Sequence, residues 1–111
     1  MGQIKYSSGV RSVRRATTVL MLALGANTVY AAGDVFKGQE LYTRHCAGCH
    51  GPSGEGEMPG LPNFSRPDKL IKTDGQLADV IRAGNGVMPS FNGRLTEDDI
   101  FDIVAYIRTF L

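Results

Sequence analysis

The chain has 111 residues, 42 % of them hydrophobic, which is enough for one small domain. Its 12 basic and 11 acidic residues nearly cancel, giving a net charge of +1. The two cysteines are only three positions apart. A pair at this spacing excludes a fold that is held together by a framework of disulfide bonds.

The first 31 residues differ in composition from the rest of the chain. They carry four basic residues and no acidic one, and the basic stretch runs into an apolar segment at residues 16–26, followed by the small residues Val29, Ala31 and Ala32. This order of basic, apolar and small is typical of a secretory signal peptide and predicts cleavage after Ala31 or after Ala32. A retained membrane anchor is the alternative, but the apolar run is well short of the roughly 20 residues that a spanning helix needs.

Removal of the leader leaves residues 32–111 as the predicted exported domain, with eight basic and eleven acidic residues and a net charge of −3. Such a domain has no charge signature of nucleic-acid binding, and its protein partners are expected to present a basic or mixed surface. A domain of about 80 residues has a thin core and usually needs a metal, a cofactor or another cross-linking element.

The first helix of the domain is predicted to start at an N-cap on Asp34 and to run to about Arg44. Residues 51–60 contain too much glycine and proline for regular structure and predict a loop. Ser65 and Asp68 have the spacing of a capping box, which predicts the start of a second helix.

A third helix is predicted to be capped by Asp74 and to stop at Gly84. The last helix has the clearest pattern, because Thr96 and Asp99 form a second capping box before a long apolar stripe. The stripe consists of Ile100, Ile103, Val104, Ile107 and Leu111, widened by Phe101, Ala105 and Phe110. No segment alternates with period two, so the sequence predicts an all-α domain of short helices joined by loops.

Residues 46–50 read Cys-Ala-Gly-Cys-His, the C-x-x-C-H pattern of covalent haem attachment. In this pattern Cys46 and Cys49 bind two vinyl groups of one porphyrin, and His50 follows as an axial ligand of the iron. Export agrees with this interpretation, since c-type haem belongs to extracytoplasmic compartments. The sequence therefore predicts one covalent haem c.

Three other interpretations compete with haem attachment. A thioredoxin-like redox pair requires a surrounding α/β pattern, which the sequence lacks. A zinc site requires a fourth ligand, and the remaining histidine, His45, directly precedes Cys46 and is badly placed to complete a tetrahedron. A structural disulfide would leave the role of His50 unexplained.

The sixth ligand of the iron has three candidates, Met58, Met88 and His45. Met88 lies 38 residues after His50, directly before Pro89 in a glycine-containing loop, and this position favours it. Met58 lies only eight residues after His50, so the chain would have to turn round the haem quickly. We expect His45 to face solvent.

With these residues in place, residues 32–111 resemble the class I monohaem cytochromes c over nearly their whole length. Gly38, Tyr42 and Tyr106 match positions where that family packs its first helix against its last. Pro62 matches a proline whose carbonyl accepts the Nδ1–H of the haem-ligand histidine, although Leu61 stands where the family usually has glycine. Met88 matches the axial methionine.

The resemblance implies a small cytochrome c fold, three to five short helices wrapped around one covalent haem. It also implies a one-electron carrier rather than an enzyme. The leader predicts a periplasmic location without membrane insertion once it is cleaved, and the carrier is expected to be a monomer or part of a transient complex. Its implied partners are a dehydrogenase, reductase or oxidase, which it meets transiently through the exposed haem edge near Ala47, Gly48 and residues 88–91. Phe64, Leu70, Ile81 and Phe91 are the expected apolar wall. The alternatives are a haem subunit permanently bound to a dehydrogenase or reductase, or a five-coordinate haem enzyme or gas sensor.

Overall fold

The structure is a computed structural model that describes residue 2 and residues 32–111. The predicted leader therefore lies outside the described residues, except for Gly2. The domain contains four α-helices and one short 3-10 helix. They are α1 (Val35–His45), α2 (Ala47–His50), the 3-10 helix (Pro67–Lys69), α3 (Asp74–Ala83) and α4 (Glu97–Arg108). Within residues 32–111 there is no β-strand, which confirms the prediction of an all-α fold. None of the helices described is long and apolar enough to span a membrane.

The closest helix–helix contact joins α1 to α4. Gly38 lies directly against the backbone of Asp102, where a Cβ atom would collide with the carbonyl oxygen and stand 3.0 Å from the Cβ of Tyr106. The ring of Tyr42 meets the rings of Tyr106 and Phe110 edge to face, each at a centroid distance of 5.4 Å. Close backbone approach with interlocking aromatic rings confirms the predicted packing of the first helix on the last.

Two helix starts follow the sequence prediction. The carboxylate of Asp34 accepts hydrogen bonds from the backbone nitrogens of Phe36 and Lys37, at 2.9 and 3.1 Å. At α4, Thr96 and Asp99 form the complete capping box, with reciprocal side chain to backbone distances of 3.0 and 3.1 Å. Each cap satisfies backbone donors that the first helical turn leaves free.

Two other predicted helix starts are wrong. The N-cap of α3 is Thr73 rather than Asp74, because the side chain of Gln76 accepts from the Thr73 nitrogen and completes a capping box one residue earlier. Ser65 begins no α-helix: its hydroxyl donates to Asn63 Oδ1 at 2.6 Å, and the short helix that follows has Arg66 at its N-cap with no side-chain capping bond. Only the 3-10 helix Pro67–Lys69 forms there.

The apolar stripe of α4 is narrower than predicted. Its centre is buried, with Ile100, Ile103, Val104 and Ile107 among the most enclosed side chains of the domain. Two predicted members are exposed, however: Phe101 by 40 % and Leu111 by 59 %. Asp102 is buried instead, because its Oδ1 accepts from the backbone nitrogen of Asp34 at 2.7 Å. A carboxylate can lie in this helix contact because it is hydrogen-bonded there.

Candidate haem site

The Cys-Ala-Gly-Cys-His segment lies immediately after α1. The carbonyl of Cys46 accepts from the backbone nitrogens of Cys49 and His50, at 3.1 and 2.9 Å, so α2 is a single tight turn. Gly51 ends it with a φ of 81°, which favours glycine. The buried hydroxyl of Tyr42 donates to the Gly51 carbonyl at 2.8 Å. The segment is therefore tied at both ends to the helix that packs on α4.

Two cavities open beside this turn and share part of their walls. The smaller, of about 60 Å³, contains Cys46, Cys49, His50, Met58 and Met88 in its lining. The larger, of about 490 Å³, is bordered mainly by apolar side chains. They include Leu61, Pro62, Phe64, Ile81, Ile103 and Ile107. Cys46, His50 and Met88 border both cavities.

The imidazole of His50 is half-buried and stacks on the ring of Phe64, with the centroids 4.9 Å apart and the planes 23° from parallel. Burial lowers the pKa of His50, which favours the neutral ring that an iron ligand requires. Its Nδ1 is buried without a hydrogen-bond partner among the residues described. The predicted bond to the Pro62 carbonyl is thus not formed in this structure, although Pro62 borders the same cavity as His50.

The two thiols occupy different environments and are not joined by a disulfide. Cys46 is buried and Cys49 is exposed. Burial, with a smaller contribution from the neighbouring Cys49, raises the pKa of the Cys46 thiol to about 12. Two unpaired thiols beside an apolar cavity fit thioether attachment of a porphyrin.

Met88 is presented by a tight turn that follows α3. Its backbone nitrogen and carbonyl pair with those of Asn85 at 3.0 and 3.1 Å, with Gly86 at a φ of 58° between them. Gly84, with a φ of 77°, lies so near that a Cβ there would stand 2.7 Å from the Met88 carbonyl oxygen. Glycines therefore allow the backbone approach that brings Met88 to the cavities.

The other candidate ligands are placed less favourably. Met58 borders only the smaller cavity and is 49 % exposed. His45 is half-buried rather than facing solvent, because its ring packs edge to face with Phe91 at 6.1 Å. Across residues 32–111, no three His, Cys, Asp or Glu side chains come together as a metal-ion site. This arrangement gives no support to the zinc interpretation.

Three of the four expected wall residues border the cavities: Phe64 and Ile81 the larger one, and Phe91 the smaller. Leu70 is buried in the hydrophobic core and borders neither cavity. The sequence did not point to two lysines, Lys69 and Lys72, which also line the larger cavity. Lys69 ends the 3-10 helix and Lys72 lies in the loop after it, and neither a single short turn nor a loop has a hydrophobic periodicity that predicts the direction of a side chain.

A large apolar cavity beside an imidazole, a thioether and two thiols fits a covalent haem with histidine and methionine ligation. Residues 33–107 match the protein family described as cytochrome c oxidase, cbb3-type, subunit III. The chain is 29 % identical over 103 residues to cytochrome c6 of Picosynechococcus sp., covering 83 % of this chain and 86 % of that one. It is 33 % identical over 79 residues to the cbb3-type cytochrome c oxidase subunit FixP of Bradyrhizobium diazoefficiens, covering 68 % of this chain but 27 % of that one.

Among solved structures, cytochrome c6 from the diatom Phaeodactylum tricornutum superposes with a TM-score of 0.61 at 25 % sequence identity. The superposition covers 69 % of this chain and 93 % of the diatom protein. The family match, the similar sequences and the similar structure all identify c-type cytochromes, in agreement with the haem-attachment residues. The chain therefore belongs to the cytochrome c family, with one covalently bound haem c, and it transfers electrons rather than acting as an enzyme.

Proposed function

We propose that the protein is an exported electron carrier in which Cys46 and Cys49 form the two thioether bonds and His50 and Met88 are the axial ligands. Met88 carries this proposal, because it borders the same two cavities as His50 and its backbone is held by the turn with Asn85. The haem supplies a one-electron couple between ferric and ferrous iron.

The chain's own residues set the conditions for that couple. A thioether ligand and burial from water both raise a reduction potential, and Met88 and the apolar wall supply them. With both axial positions filled by side chains, no coordination site is left for a substrate, which favours a carrier over a haem enzyme or gas sensor.

Partner proteins are proposed to dock where the site reaches the surface. Gly48 and Pro89 are exposed, and Val87, which borders both cavities, is exposed by 86 %. A small transient interface with a dehydrogenase, reductase or oxidase fits this surface. Residues 1–31 are proposed as a secretory leader that directs a monomeric domain to the periplasm.

Replacing Met88 tests the ligand assignment. The Met88→Ala variant is expected to lose the near-infrared methionine-to-iron band of the oxidised protein, to have a lower reduction potential and to bind CO when reduced. Met58→Ala is the matched control and should keep all three properties of the unmodified protein. If Met58→Ala shows these changes and Met88→Ala does not, the assignment is wrong.

A fixed subunit of an oxidase is the second candidate, favoured by the match to FixP. Size-exclusion chromatography of the native protein at low and high salt distinguishes the two. A carrier elutes as a free monomer of the mature domain, whereas a subunit elutes with its enzyme under both conditions. Intact mass with a pyridine haemochrome spectrum reports leader cleavage and haem count in the same sample.

A further inference from the structure

The charged side chains on the wall of the larger cavity are all positive. Among the described residues that border it, the side chains with a full charge at neutral pH are Lys69 and Lys72, and no carboxylate is present. The remaining wall is largely apolar. Its one phenol, that of Tyr42, donates its hydrogen bond to the carbonyl of Gly51. Two cations on an apolar wall would suit a ligand that is mostly hydrophobic with an anionic end.

One of the two thioether cysteines, Cys46, borders the larger cavity together with the lysines, and the other does not. Cys49 borders only the smaller cavity, and Lys69 and Lys72 border only the larger one. A haem has its two vinyl groups on adjacent pyrroles and its two propionates on the other two. If the vinyl groups bond to Cys46 and Cys49, the propionates would lie on the side of the porphyrin opposite the two cysteines, and Lys69 and Lys72 are the charged side chains of the cavity that could bind them.

The two lysines differ in how far their charge is already compensated. Lys69 Nζ lies 3.3 Å from Oδ2 of Asp68, which also pairs with Arg66. Lys72 forms no ion pair with any carboxylate in residues 32–111. The ammonium group of Lys72 is thus the more available partner for an anion.

The backbone of Lys72 is held in place by the end of α4. The guanidinium of Arg108 donates to the carbonyl oxygens of Leu70, at 2.6 Å, and of Lys72, and to the carboxylate of Asp74 at 2.9 Å. The next residue, Thr73, is the N-cap of α3. The backbone of Lys72 is therefore held by Arg108 and by the start of α3, whereas its side chain is exposed.

We propose that Lys72, assisted by Lys69, binds a haem propionate and that Arg108 is the positioning residue that holds Lys72 at the cavity. This inference rests on the proposed haem attachment at Cys46 and Cys49. The charged groups on the chain around Lys72 and on the helix end that holds it are Lys69 with Asp68, and Arg108 with Asp74. Neither carboxylate borders the cavity, so none competes there with the propionate.

The test uses the haem-loaded protein and the Lys72→Gln variant. Loss of a cation beside the haem stabilises the ferric form relative to the ferrous form, so the reduction potential should fall. The pKa of the propionate should rise, which NMR measures as a shift to higher pH in the titration of the propionate methylene protons. Lys72→Arg should restore both values, and Lys69→Gln should produce a smaller change because Asp68 already compensates that charge.

Arg44→Gln is the matched control, because it removes one positive charge from an exposed α1 side chain that borders neither haem cavity. It should leave the propionate titration unchanged. A Lys72→Gln protein with full covalent haem but the propionate titration of the unmodified protein would overturn the inference. A chain that mass spectrometry shows to lack covalent haem altogether would instead overturn the proposed function, and this inference with it.

Discussion

The contact between α1 and α4 and the wall of the haem cavity are stabilised in different ways. In the helix contact, protein packs on protein: Gly38 meets the Asp102 backbone, and the buried Asp102 carboxylate binds Asp34 and Lys37. At the cavity, a volume of about 490 Å³ separates apolar walls, and the Nδ1 of His50 has no partner among the described residues. One region is completed by the chain itself, and the other depends on its cofactor.

Removing the cofactor's attachment should have the largest effect, because it leaves the cavity walls without their packing partner. The Cys46→Ala/Cys49→Ala variant is expected to lose cooperative folding. It should lose most of the free energy of unfolding, which for a domain is on the order of 5–15 kcal/mol. Far-UV circular dichroism during urea titration measures this loss.

Gly48→Ala is the control for that variant, since a Cβ at Gly48 meets nothing within 4 Å and the two cysteines remain. It should fold and carry haem. A double-cysteine variant with a full helical signal and a sharp unfolding transition would show that the cavity region needs no cofactor.

A single methyl group placed at the helix contact should have the next largest effect. Gly38→Ala forces a Cβ against the Asp102 carbonyl, so α1 and α4 must separate, at a cost of about 2–4 kcal/mol in the free energy of unfolding. Urea denaturation of the haem-loaded protein measures it.

The matched change is Gly75→Ala in α3, where a Cβ meets nothing within 4 Å. This variant should be as stable as the unmodified protein or more stable by up to about 1 kcal/mol, through helix propensity. Equal stability of the Gly38 and Gly75 variants would refute the close contact of α1 with α4.

The smallest expected effect is a loss of stability in acid, at the ion pair of Lys37 with Asp99 between α1 and α4. Hydrogen bonds from Lys37 and then from Thr96 lower the pKa of Asp99 to about 2, from an ordinary value of 3.8. Because the folded-state pKa is depressed, the stabilisation is complete above about pH 4 and is lost as the pH falls from about 4 to about 2.

Asp99→Asn should therefore flatten the decline in unfolding free energy between pH 5 and pH 2.5. Asp98→Asn removes the neighbouring carboxylate, which makes no ion pair in the described part of the chain, and should retain the decline. A profile for Asp99→Asn as steep as that of the unmodified protein would contradict the role of Lys37.

The parts of the molecule that the sequence predicted are those controlled by neighbouring residues. The haem-attachment segment is continuous, so its identity needs no tertiary information. The caps at Asp34 and Thr96 depend on donors two or three residues away, and both predictions are confirmed. The centre of the α4 stripe follows from helical periodicity alone.

The parts that the sequence missed depend on contacts between distant residues. Asp102 looks like a solvent-facing position, and only Asp34, 68 residues earlier, explains why it is buried. The place of Lys72 is set by Arg108, 36 residues later. The error at Asp74 is of another kind, because two adjacent residues can both cap a helix and the side chain of Gln76 decides between them.

The packing of α1 on α4 also has a topological consequence. It closes a loop of about 50 residues, running from the end of α1 to the start of α4, that holds both proposed axial ligands. The entropy of closing such a loop rises only with the logarithm of its length, so ten more residues would cost about 0.2 kcal/mol. Within the glycine-rich segment, insertions at the exposed residues 58–60 are therefore inexpensive for stability, whereas Gly51, Gly54 and Gly56 are held by hydrogen bonds to the rest of the domain.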